Sequence, residues 1–102
     1  MSLDALVFKV EQWAYDRNLI EGLTPTQQFP KLIEEVGELA GSIPRNNLAV
    51  FKDSIGDIIV VLVILAAQKG FSLEDCLAEA YDEIKDRKGI VVDGIFVKEA
   101  DL

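Results

Sequence analysis

The sequence predicts an all-α chain, four helices followed by a short C-terminal β-hairpin, with the helices completed into a bundle by self-association. Three observations point that way. Apolar residues recur at helical spacing in segments separated by caps and helix stops. Only the tail, Ile90 to Val97, reads as strand. Half of the 102 residues are apolar, a surplus for a chain with so little interior, and such a surplus commonly lies in a subunit interface.

Leu3, Leu6, Val7, Val10 and Ala14 form the stripe of a first helix that ends near Asn18. Thr24 then reads as an N-cap, with Pro25 at the first helical position and Gln27 three residues past the cap. Pro30 opposes a regular helix at that point, because its ring clashes with a carbonyl one turn back. The spacing therefore predicts a short turn over 25–28 and a second helix from about Pro30 to Gly41. Pro44 and Asn46-Asn47 mark the next break, with an asparagine capping a third helix that runs to about Lys69 and stops at Gly70. Ser72 caps a fourth helix, striped by Leu73, Cys76, Leu77, Ala80, Tyr81 and Ile84 and ended by Gly89. Asp93-Gly94 between two short β-branched and aromatic runs signals a type I′ hairpin. No repeat or linker interrupts the chain, and one domain over residues 1–102 is expected.

Composition excludes several chemistries. The formal net charge is −8 and histidine is absent, so no Ser-His-Asp or Cys-His catalytic arrangement can form. Cys76 is the only cysteine, which rules out an internal disulfide and a Cys/His zinc site. A nucleic-acid-binding surface needs clustered Lys and Arg, which the charge balance opposes. The longest apolar run, Ile58 to Ala67, is too short to span a bilayer, and the N-terminus carries Asp4, Lys9 and Glu11 instead of an apolar signal core. A cytoplasmic protein is expected, with no nucleic acid and no membrane among its partners. No GxxxxGK[ST] loop is present, which removes P-loop enzymes.

The chemistry lies in acidic residues on the second and third helices. At 3.6 residues per turn, Glu34, Glu35 and Glu38 share an arc of about 100°. Asp53, Ser54 and Asp57 have the same spacing on the third helix. With these arcs facing, up to five carboxylates would share one space, and hard oxygen donors in that number suit Mg²⁺ or Mn²⁺. On the second helix a solvated acidic face opposite Leu32, Val36, Leu39 and Ile43 explains the glutamates by itself and is the favoured reading of that helix alone. The third helix resists that explanation: past Asp57 its acidic arc continues as Val60, Val61 and Ile64, so the helix is apolar all round and reads as buried. Aspartates there need partners or a metal, or the favourable dipole of the helix start. Gly37 and Gly56 lie beside the acids, consistent with close helix approach, room for a ligand, or simple tolerance.

Glu34-Glu35-Val36-Gly37-Glu38-Leu39-Ala40 resembles the EExxE motif of the MazG-like nucleoside triphosphate pyrophosphohydrolases, and Ile55-Gly56-Asp57-Ile58 resembles the core of their ExxD motif. Trp13-Ala14, Arg17, Leu19 and Gln28-Phe29 before these motifs are similar too, as is Ile84-Lys85-Asp86-Arg87-Lys88-Gly89 after them. The resemblance implies a helical homodimer or homotetramer that splits a nucleoside triphosphate into monophosphate and pyrophosphate. It implies Glu35, Glu38 and Asp57 as Mg²⁺ ligands, Glu34 beside them as ligand or water activator, and Arg87 with Lys85 as phosphate ligands. Lysine and arginine at a helix C-terminus are also favourable without any ligand. The family's ExxD glutamate falls on Ser54 here; Asp53, one turn before Asp57, is expected to replace it. Ser54 also supports an alternative function, a catalytically weakened helical dimer that binds nucleotides or a protein partner as a regulator. A ligand-free structural bundle is the third reading. Trp13 and Phe29 fit a base site or the core equally well.

Overall fold

The computed structural model describes Met1–Leu102. It contains four helices, α1 (Leu3–Asp16), α2 (Pro25–Ser42), α3 (Leu48–Gln68) and α4 (Leu73–Ile84). An antiparallel hairpin follows, β1 (Gly89–Val92) and β2 (Ile95–Lys98), then a 3₁₀ turn over Glu99–Asp101. The all-α architecture with a terminal hairpin is thus the one the sequence predicts.

Local chemistry sets most boundaries. Ser2, Asn47 and Ser72 each accept a backbone N–H in the first turn of the helix they cap. Thr24 and Gln27 make a full capping box, each side chain accepting the other's backbone N–H at 3.2 and 3.0 Å. That box carries α2 straight through Pro30, so the expected turn over 25–28 is instead the helix's first turn. Pro30 is the sixth helical residue and removes a single donor near an exposed end, a cost the reciprocal caps offset. Asn18 takes left-handed φ 59° after α1 and Gly70 takes 82° after α3, the usual way to end a helix. The fourth helix stops earlier than expected, at Ile84. Gly89 does not end it but opens β1, where an added Cβ would collide with the Val97 carbonyl. The hairpin turn matches expectation: Asp93 and Gly94 have φ 49° and 78° and Val92 pairs with Ile95.

Helix α3 is the axis of the chain, packed most closely on α2 and also on α1 and α4. The core lies where α1, the following loop and α3 meet: Ala14, Ile20, Ile64 and Ala67, flanked by Leu19 and Val60. Gln68 fastens that loop by donating to the Leu19 and Leu23 carbonyls, both at 3.1 Å. This core is small for the chain. Only 11 of 102 residues are buried, and the radius of gyration, 16.5 Å, exceeds the roughly 13 Å of a compact domain of this length. The expectation that α3 is buried all round therefore holds on one side only. Val61, Val63 and Ile64 are buried, whereas Val50, Phe51, Ile55 and Ile59 are exposed, because three neighbours cannot encircle the helix. The stripe of α4 is likewise open, with Leu77, Tyr81 and Ile84 exposed. No helix is long and apolar enough to cross a membrane.

Candidate active site

A cleft of about 490 Å³ opens between α1, α2 and α3. Its floor is apolar: Leu19, Val60, Val61 and Ile64, with Trp13 at the side. The polar part of its lining comes from Gln28, Lys31 and Glu35 of α2 and Asp57 of α3. The site exists because α2 and α3 lie side by side with their acidic arcs turned toward a common edge, and because the core beneath supplies the floor.

Glu35 is the hub. Its side chain is 6% exposed, and Oε1 accepts from Lys31 Nζ at 3.2 Å, while Oε2 is buried with no partner. On α2, carboxylate oxygens of Glu34, Glu35 and Glu38 lie within 4.8 Å of one another. Across the helix pair, Asp57 faces the same carboxylate. Its pKa is raised, chiefly by desolvation, then by the charges of Asp53 and Glu35 and by hydrogen bonds between its protonated carboxyl and both neighbours. Three of the other four expected acids, Glu34, Glu38 and Asp57, are thereby tied to Glu35, and Asp53 to Asp57; Glu34, Glu38 and Asp53 stand exposed.

An unpaired buried carboxylate oxygen is costly, and acids this close repel one another. The donor set, all hard oxygens converging on an oxygen without a partner, fits a divalent cation such as Mg²⁺. Glu34, Glu35 and Glu38 of α2 form the group that could hold such an ion, and Asp57 faces Glu35 from α3.

The remaining expected residues are placed as follows. Ser54 is 1% exposed, wedged between helices with an unpartnered Oγ, while Asp53 is the neighbour in contact with Asp57. Lys85 pairs with Asp82 of its own helix at 3.2 Å, and neither it nor Arg87 lines the cleft of its own chain. Phe29 is exposed away from the cleft, whereas Trp13 lines it with Arg17 stacked 4.8 Å from the ring centroid. Gly37 and Gly56 are not forced by close approach, since nothing lies within 4 Å of a Cβ built at either. Lys31 is the site residue that the acidic pattern concealed. Its spacing of three and four from Glu34 and Glu35 was a readable signal, and those pairs, that with Glu35 first, hold its ammonium in the charged form with a raised pKa. Gln28, buried at the cleft wall, gave no comparable sign.

An all-helical chain with a carboxylate-rich metal-binding geometry at the mouth of an apolar cleft defines the class. Residues 23–92 match the MazG nucleotide pyrophosphohydrolase domain, and the chain belongs to that family. It is also similar to an uncharacterised 18.2 kDa protein in the rep-hol intergenic region of Haemophilus phage HP1 (strain HP1c1), with 56% identity over 66 residues. That match covers 65% of this chain and 40% of the phage protein, so the chain spans well under two thirds of its curated relative. No solved structure matches the chain.

Proposed function

We propose that the protein is a Mg²⁺-dependent nucleoside triphosphate pyrophosphohydrolase, converting (d)NTP and water to (d)NMP and pyrophosphate in the control of nucleotide pools. The observation that carries this reading is Glu35. It is a buried carboxylate shared by the acidic groups of two helices, with one oxygen free, lining a cleft that apolar side chains also line. Such a mixed lining suits a ligand that joins an uncharged ring to a polyanion.

Glu35, Glu38, Asp53 and Asp57 are the proposed ligands of Mg²⁺ or Mn²⁺, which when bound would neutralise triphosphate charge and acidify a water. Glu34, exposed beside Glu35, is proposed to take a proton from the attacking water. The water oxygen forms a bond to the α-phosphorus, the α-phosphorus to bridging-oxygen bond breaks, and the electron pair leaves on pyrophosphate. Trp13 and the aliphatic floor hold the base and exclude water around it.

The exposed stripe of α4 and the open side of α3 support a homodimer or homotetramer. Because Lys85 and Arg87 do not line their own cleft, their phosphate role is proposed toward the cleft of a neighbouring copy. A cytoplasmic setting follows from the substrate. Ser54 favours a second reading, the weakened regulator, since a serine hidden between helices offers no carboxylate to a metal.

A panel of NTPs and dNTPs with Mg²⁺ or Mn²⁺, scored for pyrophosphate against orthophosphate, tests the proposal. Pyrophosphate release that Glu38→Ala abolishes supports the enzyme. Nucleotide binding without turnover would support the regulator, and absence of both metal binding and turnover would leave a structural bundle.

A further inference from the structure

We propose that Lys31 is the site's built-in cation: it occupies Glu34 and Glu35 in the metal-free state, then yields them to a divalent ion and binds a phosphate oxygen of the incoming nucleotide. The inference rests on the pyrophosphohydrolase reading and adds to it a residue with two successive partners.

Lys31 Nζ lies 3.2 Å from Glu35 Oε1 and 3.5 Å from Glu34 Oε1. An ordinary pair on a helix surface has both members in solvent. Here one member is buried, its carboxylate 6% exposed, while the lysine side chain remains 51% exposed and free to swing. The order is also the less favourable one for a helix pair, with the lysine preceding the glutamate. The ammonium satisfies only half of the buried carboxylate, for Glu35 Oε2 has no partner. Lys31 therefore holds the site without completing it.

A dication on the α2 carboxylates, whose oxygens lie within 4.8 Å of one another, would stand beside the ammonium and repel it. The half-exposed stem can carry the charge away from the ion, and the cleft that Lys31 lines is where the triphosphate would arrive. Lys31 is the sole cation among the residues lining that cleft. A lysine is a flexible point charge suited to following phosphate oxygens.

The test measures two affinities on the full chain. Mn²⁺ binding without nucleotide is read by electron paramagnetic resonance, and binding of linear tripolyphosphate at saturating Mn²⁺ by calorimetry, for the wild type, Lys31→Met and Lys31→Arg. Thermal unfolding confirms that each variant is folded. In Lys31→Met, Mn²⁺ is expected to bind a few-fold tighter, because a competitor is gone. Tripolyphosphate is expected to bind about tenfold to a hundredfold more weakly, the scale of one charge-assisted contact. The same loss should appear in the KM for nucleotide more than in kcat, and Lys31→Arg should restore most of it.

Unchanged tripolyphosphate affinity in Lys31→Met would overturn the inference, as would a fall in both affinities together, the mark of a structural prop. If the wild type binds Mn²⁺ and releases pyrophosphate while Lys31→Met moves neither affinity, the inference fails and the enzymatic reading stands. If the wild type binds neither ligand and turns over no nucleotide, both fall.

Discussion

Glu35→Gln keeps the shape of the side chain and removes only its charge, at the one position where charge burdens the metal-free fold most. Three contributions set the magnitude. The pair with Lys31 is lost, but its lysine is half-exposed and solvent screens the pair, so the loss is small. The unpartnered Oε2 gives way to an amide, which relieves part of the roughly 1–3 kcal/mol that a buried orphan acceptor costs. The amide can also donate toward an ionised Asp57, which an ionised Glu35 would repel. The balance is a gain of about 1 kcal/mol, or about 4–8 °C in Tm for a domain near this length. Thermal unfolding by circular dichroism in EDTA at one fixed protein concentration reads that gain. In the same variant Mg²⁺ should no longer raise Tm, and pyrophosphate release should fall by about a hundredfold or more, a loss of several kcal/mol of charge stabilisation. A variant less stable in EDTA, or one that Mg²⁺ stabilises as much as the wild type, would refute the reasoning.

Three further outcomes follow from the same geometry. The folded pKa of Asp57 is raised, so the fold favours its protonated form. That stability is fully present below the unfolded value and is lost as pH rises through the raised one. Urea midpoints in EDTA should therefore decline over the weakly acid range just above the ordinary value of an aspartate, and Asp57→Asn should flatten that part of the profile; an unchanged profile would contradict the assignment. Asp53→Ala should lose as much activity as Asp57→Ala, whereas Ser54→Ala, which removes a hydroxyl with no partner, should leave Mn²⁺ affinity and turnover intact. Unaffected turnover in Asp53→Ala would sink the ligand replacement. Sedimentation should show a dimer or tetramer that Leu77→Glu, on the open stripe of α4, weakens; a monomeric wild type would remove the proposed role of Lys85 and Arg87.

Caps and turns were legible because they are local. Asn47, Ser72, Asp93 and Gly94 perform in the structure the tasks that their types and positions announce. Pro30 misled because a proline rule applied alone ignores what surrounds it: the Thr24–Gln27 box holds the helix start firmly enough to absorb one missing donor. The end of α4 was misplaced because Gly89 carries a strand-opening constraint, set by Val97 and Phe96, that no neighbouring residue reveals. The site divides in the same way. Helical spacing grouped Glu34 with Glu35 and Glu38, and Asp53 with Asp57, and each group is close in space. It could not say that Glu35 alone would be buried, or that Ser54 would face the helix contact while Asp53 faced solvent, since an arc of about 100° is wider than the edge where α2 meets α3. The burial of α3 was overread for a related reason, because an apolar helix reports how much surface wants covering and not whether one chain can cover it.

The central claim is that water attacks the α-phosphorus of a nucleoside triphosphate at the Glu35 cluster. Hydrolysis in ¹⁸O-labelled water, with mass analysis of both products, tests it most directly. The account predicts that the label enters the nucleoside monophosphate, that pyrophosphate leaves unlabelled, and that neither forms with Glu35→Gln. Label in pyrophosphate, or release of orthophosphate with a nucleoside diphosphate, would contradict it.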